Sequence, residues 1–317
     1  MKVYPKMCML SLLLLVSVII RGSHSQIFNH CPDSFLIMPC SCLYLSSENV
    51  GLLDCSGVRS EQQLSDIFHT TNDFPSMEFK EFNIFNNPKI KVFNDDIFGN
   101  ISFVELTVTG GVLEKVEADS LALSFKSMTK MDLRRNTINA VEDFPFSEIP
   151  NYKKLTHLYL SENNFPSWPT LMSDSIIYLD MSQNPLTVIP TDAFSQLPKL
   201  EELYLRDVKL GNIDAGTFDG LENLNHLELS HNQLSVLSAN SFSTDSLQRL
   251  ALYLDFNDIQ TVEINSFTSG GLMNMYGNKI TTLDEEVWRP HLQAEGALSI
   301  GGNPLSWMSN GLVGPKP

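Results

Sequence analysis

Cys31, Cys40, Cys42 and Cys55 crowd into one short stretch of a 317-residue chain. Cysteines at that density either bond to one another or ligate a metal. Their irregular spacing suits paired zinc ligands poorly, so two disulfides are expected, with three pairings open. Cys40 and Cys42 point opposite ways if their segment is extended, which gives them different partners. Catalytic groups are harder to find. The chain has no Walker A loop, no Gly-x-Ser-x-Gly elbow, no His-Glu-x-x-His and no dinucleotide fingerprint. His157, His226 and His231 are the histidines of interest, and solvated side chains are the simpler reading than metal ligands or bases. No catalysis and no cofactor are expected. A larger set of residues points to recognition: Tyr159, Tyr178, Tyr204, Tyr253 and Tyr276, five of the eight tyrosines, together with Glu228 and Asp255. Tyrosine joins apolar area to a hydroxyl at low entropy cost, so this mixture suits binding to a protein. Strand propensity alone is the competing explanation for tyrosine there.

A repeat positions these side chains. Leu155-x-x-Leu158-x-Leu160-x-x-Asn163 recurs as Ile176, Leu179, Met181 and Asn184. It returns as Leu200, Leu203, Leu205 with Val208 in the last slot, then as Leu224, Leu227, Leu229 and Asn232. Fainter copies put Asn87, Gly111 and Asn136 in that slot upstream, and Asn257, Asn278 and Asn303 downstream. The ten units are 21 to 27 residues apart. Leucine at the fourth and sixth positions alternates with polar residues, as on a short strand with one buried face. The asparagine amide ends that strand by bonding backbone groups in the turn. Ten residues after the slot comes a large plug: Leu121, Phe146, Phe194, Phe218, Phe242, Phe267 or Trp288. One unit cannot bury its own apolar face, so the units must stack and each add a parallel strand. Ten strands give an inner face on the order of 40 Å long. The third, fifth and seventh positions of each unit face that surface, and all seven candidate residues occupy them. Side chains projecting from it should add little to folding.

Composition narrows the partners. With 21 basic and 37 acidic residues the net charge is −16, which argues against nucleic acid and against anionic lipid. Lys130, Arg134, Arg135, Lys153 and Lys154 form a basic island that reads as a solvated face. Residues 1–25 combine Lys2 and Lys6 with an apolar run from Met9 to Ile20 and end in Ser23 and Ser25. That is the pattern of a cleaved secretory signal, so a secreted, extracellular protein free of the membrane is expected. Asn100-Ile-Ser102 is then a usable glycosylation sequon. The expected division is a signal peptide (1–25), a Cys-rich cap (26–60), about ten repeats (61–305) and a short tail (306–317).

These motifs resemble the extracellular leucine-rich repeat family. The resemblance implies an α/β-type solenoid: a horseshoe with a concave parallel β-sheet and a disulfide-bonded N-terminal cap. Cys31-Pro-Asp, Pro39-Cys40-Ser-Cys42 and Leu53-Asp-Cys55 match the cap, and the family pairing would join Cys31 to Cys42 and Cys40 to Cys55. The Cys-rich C-terminal cap usual in the family has no counterpart after Asn303-Pro-Leu305. The cap opening and Phe85-Asn-Asn-Pro-Lys-Ile90 also look like the non-catalytic subunits that accompany secreted luciferases. That likeness implies a scaffold or stabilising partner for a small secreted catalytic subunit. The alternative is a receptor-like or adhesion module of the Toll ectodomain type, recognising a protein or glycan.

Overall fold

The computed structural model describes residues 31–69, 77–242, 250–267 and 270–308. The signal-peptide segment and the tail after Met308 lie outside the described residues. A single twelve-stranded sheet runs the length of the molecule. It opens with an antiparallel hairpin, β1 (Ser41–Leu45) and β2 (Val50–Asp54). Parallel strands follow: β3 (Met77–Phe85), β4 (Ile101–Thr109), β5 (Lys130–Asp132) and β6 (His157–Tyr159). The second half contains β7 (Tyr178–Asp180), β8 (Glu202–Tyr204) and β9 (His226–Glu228). It ends with β10 (Ala251–Tyr253), β11 (Leu272–Asn274) and β12 (Ala297–Ser299). The ten units of the sequence are the ten strands β3 to β12. The pairing keeps one register, with Leu158, Leu179, Leu203, Leu227, Leu252, Met273 and Leu298 side by side on neighbouring strands. The fold is therefore a leucine-rich repeat horseshoe.

The asparagine slot explains that register. Asn163 Nδ2 donates to the Leu160 carbonyl of its own coil at 3.1 Å and to Leu133 of the coil before at 2.9 Å. Its Oδ1 accepts the Ile138 N–H at 3.2 Å. Asn232 does the same with Leu229, Leu205 and Leu210. One amide thus satisfies polar backbone on two coils at once, in a position with almost no access to water. At Val208, which has no amide, the Leu186 N–H turns instead to the Asn184 carbonyl at 2.8 Å. Gly111 fills its slot for a steric reason: a Cβ there would come within 2.9 Å of the Asn87 carbonyl.

The residue just before each slot has a second regularity that the sequence does not announce. Asn86, Gly110, Arg135, Glu162, Gln183, Asp207, His231, Phe256, Gly277 and Gly302 are all left-handed, with φ between 50 and 71°. Six of them are neither glycine nor asparagine, and that conformation costs such residues roughly 1–2 kcal/mol each. Each turn except the last, at Gly302, is held by a bond to the next coil, such as Gln183 N–H to the Arg206 carbonyl at 2.7 Å.

Behind the sheet, the plugs do what their spacing implies. Phe194, Phe218 and Phe242 lie in a nearly parallel column with ring centroids 5.5 and 5.3 Å apart. The first coils use an edge-to-face cluster of Phe82, Phe93, Phe98 and Phe103. Two helices not anticipated from the repeat pack on the outer side: α1 (Glu61–His69) and α2 (Glu285–Gln293). The Asp284 side chain caps α2 by accepting the Glu286 N–H, and Trp288 and His291 fill its buried face. At the N-terminal end the disulfides join Cys31 to Cys42 and Cys40 to Cys55, the pairing implied by the family. Strand β2 pairs in parallel with β3, so the cap is itself the first coil of the sheet. No helix among the described residues is long and apolar enough to cross a membrane.

Candidate functional site

Strand alternation places the tyrosines on the concave face, where they meet. Tyr159 and Tyr178 have ring centroids 4.6 Å apart, and Tyr178 and Tyr204 are 4.9 Å apart. Tyr204 packs on His226 at 4.7 Å, and His226 on Tyr253 at 4.9 Å. His157 closes the other end by stacking on Tyr178 and Tyr159. The result is an unbroken ladder of rings across five strands, β6 to β10. Register explains the contact: β7 offers its third-position ring, β8 its fifth, β9 its third and β10 its fifth. The rings stand half-buried rather than free in solvent. The expectation that these side chains add little to folding is corrected accordingly. His226 is also corrected, because it is a rung of the ladder and not a solvated histidine. Its Nε2 is buried and has no hydrogen-bond partner among the described residues.

The ladder has a fixed polar border. Arg134 grips Asp132 with two bonds of 2.9 and 2.7 Å, and its guanidinium lies 4.9 Å from the centre of the Tyr159 ring. Arg135 pairs with Glu162 at 2.9 Å. Two of the five residues of the basic island, Arg134 and Arg135, are thus ion-paired at the start of the ladder. Further along, Glu202 accepts the Tyr204 hydroxyl at 2.8 Å. Glu228 accepts the Ser230 N–H at 2.8 Å, and Asp255 accepts the Asn274 amide at 2.9 Å. Burial, followed by nearby carboxylates, pushes the Tyr178 hydroxyl well above the ordinary tyrosine range. Tyr204 is pushed the same way by burial and by its bond to Glu202. Tyr159 moves up less freely, since burial is opposed by Arg134. These hydroxyls are donors at any physiological pH.

Tyr276 stands apart from the ladder. It belongs to a second cluster on the rim, where Phe256 packs against His231 at 4.7 Å and against Tyr276 at 5.6 Å. Glycine makes room for it: a Cβ at Gly277 would come within 3.0 Å of the Phe256 ring, and one at Gly301 within 3.2 Å of Tyr276. Phe256 and Tyr276 remain 48% and 47% exposed. Phe256 did not figure in the candidate set, and its signal in the sequence was an aromatic residue in a slot otherwise polar or glycine. Among the described residues, no three His, Cys, Asp or Glu side chains gather as a metal site. Asn100 is exposed in the turn that leads into β4.

Comparison with known proteins agrees with the geometry. A leucine-rich repeat family model matches residues 198–259. The non-catalytic subunit of Oplophorus-luciferin 2-monooxygenase from Oplophorus gracilirostris is 34% identical over 147 residues. That match takes in 46% of this chain and only 39% of the relative's length. Among solved structures, a chain of the octameric complex of Latrophilin 3, Unc5D and FLRT2 (LRR) superposes with a TM-score of 0.62 at 20% identity. That superposition covers 80% of this chain and 76% of the other. The Toll–Spatzle complex of Drosophila gives 0.60 at 18% identity, over 73% of this chain and 33% of its own. At such identities these structures speak for the fold alone.

Proposed function

We propose that this leucine-rich repeat solenoid is an extracellular, non-catalytic binding protein that holds a protein partner across its concave face. The observation that carries the reading is the ring ladder from Tyr159 to Tyr253, an aromatic surface built on five rigid strands. Preorganised aromatic side chains of this kind contribute most of the binding energy at protein interfaces. Export is supported by the two disulfides and by the signal-like residues 1–25. The partner we favour is the catalytic chain of a secreted enzyme. The relative from Oplophorus, itself a non-catalytic subunit, supports that choice. Glycosylation at Asn100, at the exposed turn before β4, would leave the ladder uncovered.

The test is a native pull-down of the full chain from its own secretions, followed by quantitative binding. A small stoichiometric enzyme chain is the expected partner, and the double variant Tyr204→Ala/Tyr253→Ala should weaken it by at least tenfold, about 1.4 kcal/mol or more. Recovery of cell-surface or matrix glycoproteins instead would favour the adhesion reading. Unchanged affinity of the double variant for whatever is recovered defeats the concave-face mechanism.

A further inference from the structure

The concave face changes character along its length. In the first coils two of its acidic groups are ion-paired inside the molecule, Glu105 with Lys80 at 2.7 Å and Asp132 with Arg134 at 2.7 Å, while Glu81 meets only the Asn83 amide at 3.5 Å. From β7 to β10 the acidic groups are Asp180, Glu202, Glu228 and Asp255, and no ion pair to any of them occurs among the described residues. Each is instead held by neutral donors. Asp180 accepts the Ser161 hydroxyl at 2.7 Å and the Ser182 N–H at 3.0 Å, and the other three accept the tyrosine, backbone and amide bonds given above. Such bonds fix a carboxylate in place without cancelling its charge. Among the described residues of these four coils Arg206, two residues past β8, is the one guanidinium, and it donates to the Ser230 hydroxyl at 2.8 Å.

We infer, resting on the concave-face reading, that this stretch accepts an extended protein segment bearing at least two lysine or arginine side chains. Strands β7 to β9 each carry one ring and one carboxylate, and Tyr253 on β10 is followed two residues later by Asp255, so apolar and negative groups alternate along the face. The ladder spends its ring faces on one another, leaving edges and hydroxyls for a ligand. Sugars and single cations bind aromatic faces, and the interior of the ladder has none to give. The aliphatic stem of a lysine or arginine can lie across ring edges while its head group reaches a carboxylate. Asp180 is buried, so the carboxylates a ligand can reach are Glu202, Glu228 and Asp255. With strands about 4.8 Å apart the outer two lie roughly 10 Å apart, the reach of about three extended residues. That span excludes a lone ion and fits a peptide.

The probe is the decapeptide acetyl-(Arg-Gly)5-amide, with (Glu-Gly)5 and a neutral hexasaccharide as alternatives, titrated into the full chain. The cationic peptide should bind at least about tenfold more tightly than the anionic one and weaken severalfold as salt rises from about 0.05 to 0.3 M. Glu202→Gln/Glu228→Gln keeps the acceptor oxygens and the fold while removing two charges. It should lose about tenfold in peptide affinity. Asp219→Asn/Glu222→Gln removes two charges from turns away from the strand face and should lose less than about twofold. Equal losses in the two variants would mean diffuse acidity and overturn the proposal. Hexasaccharide binding that disappears in Tyr204→Ala/Tyr253→Ala but survives in Glu202→Gln/Glu228→Gln would also overturn it, in favour of a glycan. The natural partner separates this proposal from the broader one. If the tyrosine variant loses that partner while the glutamine variant keeps it, the face binds but the cationic chemistry is wrong; if neither variant changes binding, both fail.

Discussion

Two columns of rings cross this molecule, one behind the sheet and one in front of it. Phe194, Phe218 and Phe242 stack at 5.5 and 5.3 Å with their planes 14 and 12° apart. Tyr178, Tyr204, His226 and Tyr253 stack at 4.7 to 4.9 Å with planes inclined by 28 to 33°. Both columns take one ring per coil, so the strand repeat sets the spacing of each. Their composition differs for a physical reason. The rear column is closed to water, and phenylalanine has no polar atom to satisfy there. The front column is open along one edge, so each tyrosine keeps its hydroxyl wet or bonded to a neighbour. The same periodicity thus yields a structural spine on one side and the proposed recognition surface on the other.

The sharpest way to break this comparison is to remove one ring from each column. Phe218 is fully buried between two rings, and Phe218→Ala should cost about 3–5 kcal/mol in urea denaturation. Tyr204→Ala removes contacts to two neighbours but leaves no closed cavity. It should cost about 1–2 kcal/mol, most of it from two aromatic pairs of roughly 0.5–1.5 kcal/mol each. Partner affinity should respond in the opposite order. A Tyr204 variant as unstable as the Phe218 variant would make the front column part of the core.

Next in size are the amides that keep the coils in register. Asn232→Leu would leave the Leu210 N–H and the Leu205 and Leu229 carbonyls without their partner, at a cost of about 1–3 kcal/mol. Val208→Asn should stay within about 1 kcal/mol of wild type, because lost apolar burial is offset by new bonds of about 1 kcal/mol each. Chemical denaturation of the two variants side by side is the check. Equal effects would mean that the slot is only a packing position.

How much of this could be read beforehand follows from what repeats. Leu158, Leu179, Leu203 and Leu227 recur at one position, so strands, register and sheet were legible, as were the plugs from Phe194 to Phe242. The cap cysteines were legible as disulfides, and their pairing came from the family resemblance. The ladder was legible only as a set of tyrosines on one face. Its rungs alternate between third and fifth positions, so no single column of the repeat contains them, and His226 was hidden by being a different residue type. The left-handed turn was invisible because Arg135, Glu162, Gln183, Asp207, His231 and Phe256 carry no glycine signal. Helices α1 and α2 lie in the connections between strands, where the units differ from one another in length and composition.

The smallest effect expected concerns protons, and it compares the front column with the core through their tyrosines. Burial raises the hydroxyls of Tyr178 and Tyr204 above the ordinary range, and the core residue Tyr152 is raised by burial as well. A tyrosine ionises near pH 10 in the unfolded chain. Between that pH and the raised folded value, the unfolded state releases a proton that the folded state keeps. The stability contributed by these groups is therefore fully present below about pH 10 and is lost as pH rises further. Denaturation between about pH 9 and 11 should show this decline. Tyr152→Phe should flatten it, since its ring is closed in by Phe125 at 4.6 Å and water cannot relieve the charge. Tyr204→Phe should flatten it less, because the front column is open to water along its edge and solvent moderates the penalty. The same Tyr204→Phe change removes the hydroxyl bonded to Glu202 while keeping the ring. Partner affinity should accordingly fall much less than in Tyr204→Ala. A fall as large as that of the alanine variant would move the binding energy from the ring edges to the hydroxyls.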